Sequence, residues 1–366
     1  MRAPAYPIRF CNTADGVRIA YAAGGTGLSL VKTPNWLNHL ELDPKSPVWR
    51  AWIARMSRSF RLIRYDARGC GLSDRDVRHV SFATNLLDLE AVVDAAGIRR
   101  FALFGASQGA AIAIDYAARH PDRVSHLILY GAYLRGARKR DASAQAIEQA
   151  DIMLKLVQLG WGQDNSAFRQ VFATQFIPDS TLEQLRAFDE IQRQTASPEA
   201  AMRLLDSFHE IDVSAQAGKI ACPTLVLHSR DDARVPFEEG RQVASAIHGA
   251  EFVSLPSRNH ILLEHQTAWG QFFDEIAEFI QRHGNESAAE FPGLGDVTER
   301  ERHVLELVAT GLSNSQIAET LGISPKTVRN HINHLFSKLE VRDRAHAIVL
   351  AREAGLGLRK EGHPVR

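Results

Sequence analysis

The chain has 366 residues, 45% hydrophobic and 23% charged, with Lys+Arg and Asp+Glu both at 43. That length exceeds what one core usually supports, so a large domain plus a small one is expected, and the composition excludes a disordered or membrane-embedded chain. A balanced total predicts no nucleic-acid partner from overall charge, so such a signal must be local; from Asp296 to Arg366, Lys and Arg number 11 against 9 Asp and Glu, a small excess.

Cys11, Cys70 and Cys222 are scattered and odd in number, without ligand spacing, so no disulfide framework, metal site or cofactor is expected. The N-terminal MRAPAYPIRF has no long apolar stretch after its basic residue, and no later segment has the length of a membrane span. A cytoplasmic protein is expected.

In chain order, β-type runs stand at 17–22, 28–32, 60–66, 101–105, 124–130, 223–228 and 251–256, with Asp15-Gly16 as a hairpin turn before the first. Helical patterns alternate with them, notably 108–120, stopped by Pro121, and 268–283, followed by Gly284. Alternating strands and helices predict a mostly parallel sheet covered by helices. Strand signals stop between 134 and 220, where helical segments such as 145–161 and 181–194 take over, so a helical cap is expected there. Residues 284–295 have linker composition. Four short helices follow: 299–310 and 314–321, opened by the capping boxes Thr298-x-x-Glu301 and Ser313-x-x-Gln316, then one with Ser324 as cap and Pro325 at its first position, and 344–354 after Asp343. The turn Gly322-Ile323-Ser324 joins two of them into a helix-turn-helix. The domains expected are 1–283, with a cap at 134–220, a linker at 284–295, and 296–366.

Gly105-Ala106-Ser107-Gln108-Gly109 lies between an apolar strand and a helix, a setting in which a tight turn exposes the serine hydroxyl. A serine nucleophile needs a base, and the base needs an orienting carboxylate. Both occur after later strands, in 228-HSRDDARVP-236 and 257-SRNH-260. Over about residues 8–283 the chain resembles the α/β-hydrolase family. The family pattern H-G-x-x-D-x-x-V-P falls on His228, Ser229, Asp232, Val235 and Pro236, so the resemblance implies Asp232 as triad acid, with Asp231 as fallback, and His260, rather than His265, as base. The stretch 66-DARGCGLSD-74 resembles the family loop D-x-R-G-x-G-x-S, and 34-PNWLNHLELD-43 occupies the place of the oxyanion loop. The resemblance then implies Trp36 and Gln108 as backbone oxyanion donors. Pro34-Asn35 departs from the family's His-Gly, and Asn35 lacks glycine's freedom at positive φ. A cap over the triad makes Trp36, Ser107, Trp161, Phe172, Phe176 and His260 the candidate pocket walls, with Phe168, Phe188, Met202 and Phe208 beside them, and implies a mainly apolar ligand with one polar or acyl group. Cys70 reads as a buried thiol.

The stretch TERERHVLELVATGLSNSQIAETLGISPKTVRNHINHLFSKLEV resembles the LuxR-type, or GerE-like, DNA-binding domain almost throughout. The family geometry makes 325–339 the recognition helix. Val328, Ile332, Leu335 and Leu339 share one face and are expected to pack inward, which leaves Lys326, Thr327, Arg329, Asn330 and Asn333 for DNA. His331 fits a phosphate contact or a half-buried imidazole. The last helix, with Ala345, Ala347, Ile348, Leu350 and Ala351, supports dimerisation in the family, which implies a homodimer on a two-fold related operator. The function expected is a DNA-binding regulator that senses a small molecule in a hydrolase-type pocket; the alternative is an active serine esterase or amidase that hydrolyses its own inducer.

Overall fold

The structure, a computed structural model, describes residues 6–77, 79–140, 143–164, 167–289, 297–353 and 356–357. It divides into two compact units, Met1–Ala277 and Glu278–Arg366.

The first unit is built on an eight-stranded sheet: β1 (Ile8–Asn12), β2 (Arg18–Gly24), β3 (Ser29–Lys32), β4 (Arg61–Tyr65), β5 (Phe101–Ala106), β6 (Val124–Tyr130), β7 (Thr224–Ser229) and β8 (Glu251–Leu255), in the order 1-2-4-3-5-6-7-8. β2 runs antiparallel to both its neighbours, β1 and β4, and every other pairing is parallel. Every residue of β6 is buried, as a strand covered on both faces requires. All seven expected strands form. β1 was not expected, because its exposed edge pattern carries no apolar run; the turn that joins it to β2 was, and Gly16 takes φ 86° there.

Helices α1 (Trp49–Ser59), α2 (Phe82–Ala95) and α3 (Gln108–Arg119) connect the early strands. In α3 the buried Ala110, Ala111, Ala113 and Ala117 let the helix lie close to the sheet. Between β6 and β7 come α4 (Ala137–Arg140), α5 (Ala144–Gly160), α6 (Ala167–Phe176), α7 (Leu182–Thr195), α8 (Pro198–His209) and α9 (Ser214–Ala217). Arg169 ties this segment together, donating to Asp189 (2.9 Å) and to the carbonyls of Trp161 (2.9 Å) and Gln163 (2.6 Å). α10 (Phe237–Ala246) precedes β8, and α11 (Thr267–Ala289) follows it.

α11 corrects the expected boundary at Gly284. Residues 284–289, read as linker, continue the helix, because Gly284 keeps a negative φ and so does not act as a left-handed stop. Residues 290–295 of that linker lie outside the described residues.

The second unit holds α12 (Glu299–Ala309), α13 (Asn314–Leu321), α14 (Pro325–Lys338) and α15 (Arg344–Glu353). The caps are those read from the sequence: both boxes close, Ser324 accepts from Thr327 N–H, and Asp343 accepts from His346 N–H at 2.8 Å. Gly322 ends α13 at φ 63°. Val304, Leu305, Val308, Ile317, Val328, Ile332, Leu335 and Leu339 form the core with Ala347 and Ala351. No helix among the described residues is long and apolar enough to cross a membrane.

Candidate active site and nucleic-acid interface

Ser107 is the single residue between β5 and α3, and it adopts φ 55° and ψ −129°. A non-glycine residue held there stores about 1–3 kcal/mol of strain, which the neighbours must impose. They do so by close approach. A Cβ on Gly105 would lie 2.6 Å from Ala110 Cα, and one on Gly109 would lie 2.5 Å from the Pro34 carbonyl oxygen. Thr33 fastens the same contact, its hydroxyl donating to the Gly109 carbonyl at 2.9 Å. The glycines therefore supply room, while the serine itself carries the left-handed backbone.

Asp232 and His260 meet at the ends of β7 and β8, with His260 Nδ1 2.7 Å from Asp232 Oδ2. The other carboxylate oxygen accepts from the backbone N–H groups of Arg234 (2.8 Å) and Val235 (2.9 Å), so the acid is also the cap of its own turn. His228 braces that turn from below, 3.1 Å from the Val235 carbonyl. Burial pushes the Asp232 carboxyl up, yet His260 and the amide donors together hold it below the ordinary carboxylate range. Gly131 lies under the imidazole, where a Cβ would come within 2.7 Å of His260 Cε1. The alternatives, Asp231 and His265, are exposed. Residues 176–179 grip the histidine loop directly: Ile261 N–H donates to the Phe176 carbonyl (3.0 Å) and Asp179 N–H to Asn259 Oδ1 (3.0 Å).

The loop after β3 departs from expectation in one respect. Positive φ falls on Leu37, at 43°, and not on Asn35, so the replacement of glycine brings no strain at Asn35. Asn35 instead accepts from the ammonium of the half-buried Lys32. Trp36 stands at the bend, its indole N–H donating to Gln192 Oε1 (2.8 Å) and its ring stacked on Phe172 at 5.6 Å. Neither Trp36 N–H nor Gln108 N–H has an acceptor among the described residues. The D-x-R-G-x-G-x-S loop clamps this region. Asp66 accepts from Leu40 N–H and Leu72 N–H, both at 2.9 Å, and Arg68 binds Asp88 (2.9 Å) and Asp15 (2.7 Å). Cys70 is buried in that loop, and burial raises its thiol.

Two cavities flank Ser107. One, a space of about 350 Å³ that includes open solvent, is lined by Trp36, Trp49, Trp52, Phe104, Phe176 and His260, together with Lys32. The other, a space of about 530 Å³ that includes open solvent, is lined by Trp36, Ser107, Gln108, Phe172, Phe176 and Phe208 together with Tyr133, Arg140, His209 and Arg234. Trp161, expected as a wall, reaches neither: it is fully buried behind the pocket, edge-on to Trp36 at 5.8 Å, with its N–H on the Ala196 carbonyl. Phe168 faces solvent, and Phe188 packs behind Trp49 and Phe176. Lys32, Arg140, His209 and Arg234 were missed. Each comes from a different part of the chain and belongs to no motif; only Arg234, inside the Asp232 segment, stood where a signal could have been sought.

On α14 the inward face is the expected one, while Lys326, Arg329, Asn330 and Asn333 are exposed on the other. Thr327 is half-buried, its hydroxyl 2.8 Å from Ser324 Oγ, so it serves the cap. His331 is half-buried. On α15, Ala347 and Ala351 belong to the domain core, which leaves Ala345 and the unanticipated Val349 exposed.

Comparison with known proteins covers both units. The family model for bacterial regulatory proteins of the luxR family matches residues 296–351, and that for serine aminopeptidase, S33, matches 54–267. RutD of Klebsiella pneumoniae subsp. pneumoniae, named as a carbamate hydrolase, is 29% identical over 218 residues, 58% of this chain and 79% of that protein. A protein of Mycobacterium bovis named as an HTH-type transcriptional regulator is 38% identical over 82 residues, 22% of this chain and 9% of its own length. A solved hydrolase from Pseudomonas aeruginosa PA01 superposes with a TM-score of 0.63 at 22% identity, covering 76% of this chain and 99% of that one, which establishes the fold.

Proposed function

The chain belongs to the serine aminopeptidase S33 family of α/β-hydrolase-fold proteins and carries a luxR-type DNA-binding regulator domain, and from that premise we propose that it is a transcription regulator controlled by a small ligand in the hydrolase-type pocket. The supporting observation is the partly open space on both sides of Ser107, walled by Trp36, Phe172 and Phe176, in a chain whose other unit exposes Arg329, Asn330 and Asn333 on one helix face. The ligand is mainly apolar, by the chemistry of those walls. It acts on DNA binding by favouring one arrangement of the molecule over another, which requires different affinities for the two. The chain reads a two-fold related operator as a homodimer, and it does so in the cytoplasm, where the DNA is. Titrating small apolar esters and acids against the affinity for a duplex selected by the full chain tests this. Unchanged DNA binding at full pocket occupancy would sink it.

A second reading is favoured by the strained Ser107 and the bonded His260–Asp232 pair: the protein hydrolyses its inducer. Ser107 Oγ attacks an ester or amide carbonyl while His260 Nε2 takes its proton. Asp232 holds the imidazole, and Trp36 N–H and Gln108 N–H receive the oxyanion. The proton then passes from His260 to the leaving alcohol or amine, and water releases the acyl group by the same route. That the relative RutD is named as a carbamate hydrolase fits this chemistry. Labelling by a serine-reactive fluorophosphonate, lost in Ser107→Ala, is the expected result; an unlabelled wild-type chain would leave ligand binding alone.

A further inference from the structure

The larger cavity has polar groups that the triad chemistry does not use. Gln108 and His209 are both 4% exposed and line it, and neither Gln108 Nε2 nor His209 Nδ1 has a hydrogen-bond partner among the described residues. Two guanidinium groups stand in the same wall. Arg140 lies 3.2 Å from Glu239 and over the Tyr133 ring, so its charge is largely met. Arg234 is not: it lies over Phe172 and Phe176 and donates to the neutral amide of Gln175 at 3.0 Å, with no ion pair among the described residues. Asp232 is near in sequence, but its oxygens are committed to His260 and to backbone amides.

An unneutralised guanidinium in a half-closed apolar wall is costly unless an anion joins it. The other facing groups do not supply one. Tyr133 is pushed up to about 12 by burial and stays neutral, and His209 is pushed down to about 4 by burial and is neutral as well. Glu239 already faces Arg140. The other cation near Ser107, Lys32, is better served: Asn35 and the Thr33 carbonyl accept from it, and although burial pushes its ammonium down to about 8, the neighbouring Asp43 opposes that shift.

We infer that the ligand carries a carboxylate, received by Arg234 and Arg140 on the cap side of Ser107, with Gln108 and His209 completing the cradle and the aromatic walls holding an apolar body. This rests on the reading that the pocket holds a small ligand. It narrows that ligand from an apolar molecule to an amphipathic acid, or an ester or amide that keeps a free acid group.

Calorimetric titration of the full chain with octanoate and with octanamide, which share an apolar tail and differ in charge, tests it. Octanoate is expected to bind at least about 10-fold more tightly, as for a charge-assisted contact, with the difference abolished in Arg234→Gln and reduced in Arg140→Gln. Circular dichroism shows whether each variant is folded, and the wild-type comparison needs neither variant. Equal affinity for the two probes would overturn the carboxylate inference while leaving the pocket reading intact. No binding of either would overturn both. A preference kept in Arg234→Gln but lost in Lys32→Met would overturn it by placing the acid in the other cavity.

Discussion

In the hydrolase unit the groups of interest are buried and come from distant stretches of chain, Trp36, Ser107, Asp232 and His260 converging at strand ends, whereas in the C-terminal unit they lie exposed within eight residues of one helix, from Lys326 to Asn333. The first arrangement depends on enforced geometry. Ser107 sits at positive φ because Gly105 and Gly109 permit contacts that no Cβ would allow, and Asp232 is held on both oxygens. The second depends on local signals, each helix opened by its own side-chain cap. One site is therefore sensitive to small displacements anywhere in its scaffold, and the other mainly to the identity of its exposed side chains.

That contrast can be broken by substitution. The largest effect is expected at Ser107: Ser107→Ala should lower any ester hydrolysis by at least about 10³-fold while leaving ligand-free DNA affinity unchanged, measured by steady-state kinetics and fluorescence anisotropy. Loss of DNA binding in that variant would show that the serine serves the fold. Next, Arg329→Ala should weaken binding to the selected duplex by about 1–3 kcal/mol and relax specificity at one base pair, if the guanidinium reads a guanine. Equal weakening on all sequences would make it a phosphate contact. Gly109→Ala should destabilise the hydrolase unit by about 1–3 kcal/mol, because its Cβ would press on the Pro34 carbonyl, whereas Gly284→Ala, with open space around it, should be neutral or slightly stabilising. Chemical denaturation compares the two.

The smallest effect is a pH dependence in the C-terminal unit. Lys338, 2.7 Å from Glu301, is the main reason its carboxyl is lowered from 4.5 to about 2, with Thr298 adding hydrogen bonds. A lowered folded value means that the stabilisation is fully present above about pH 4.5 and is lost as pH falls toward 2. Glu301→Gln should therefore flatten the acid limb of that unit's unfolding curve and change little at neutral pH. An unchanged acid limb would show that the pair contributes nothing.

Legibility in the sequence follows the same division. All four C-terminal helices were readable with their caps, since capping is decided within three or four residues. Ser107, Asp232 and His260 were readable as candidates only because each stands in a motif at a strand end. The walls were not: Trp161 has the composition of a pocket residue but packs behind one, and Arg140, His209 and Arg234 meet only through the packing of α4, α8 and the β7–α10 turn. The edge strand β1 and the extension of α11 were missed because an exposed strand shows no apolar run and a lone glycine does not by itself end a helix.

The most direct test of ligand control occupies the pocket and reads the DNA. The full chain, labelled at Ser107 with an alkyl fluorophosphonate, is compared with unlabelled chain for affinity toward the selected duplex, with the label stoichiometry set by mass spectrometry. A change of about 10-fold or more, in either direction, is expected if pocket occupancy shifts the DNA-binding arrangement. Identical affinities at complete labelling would contradict it.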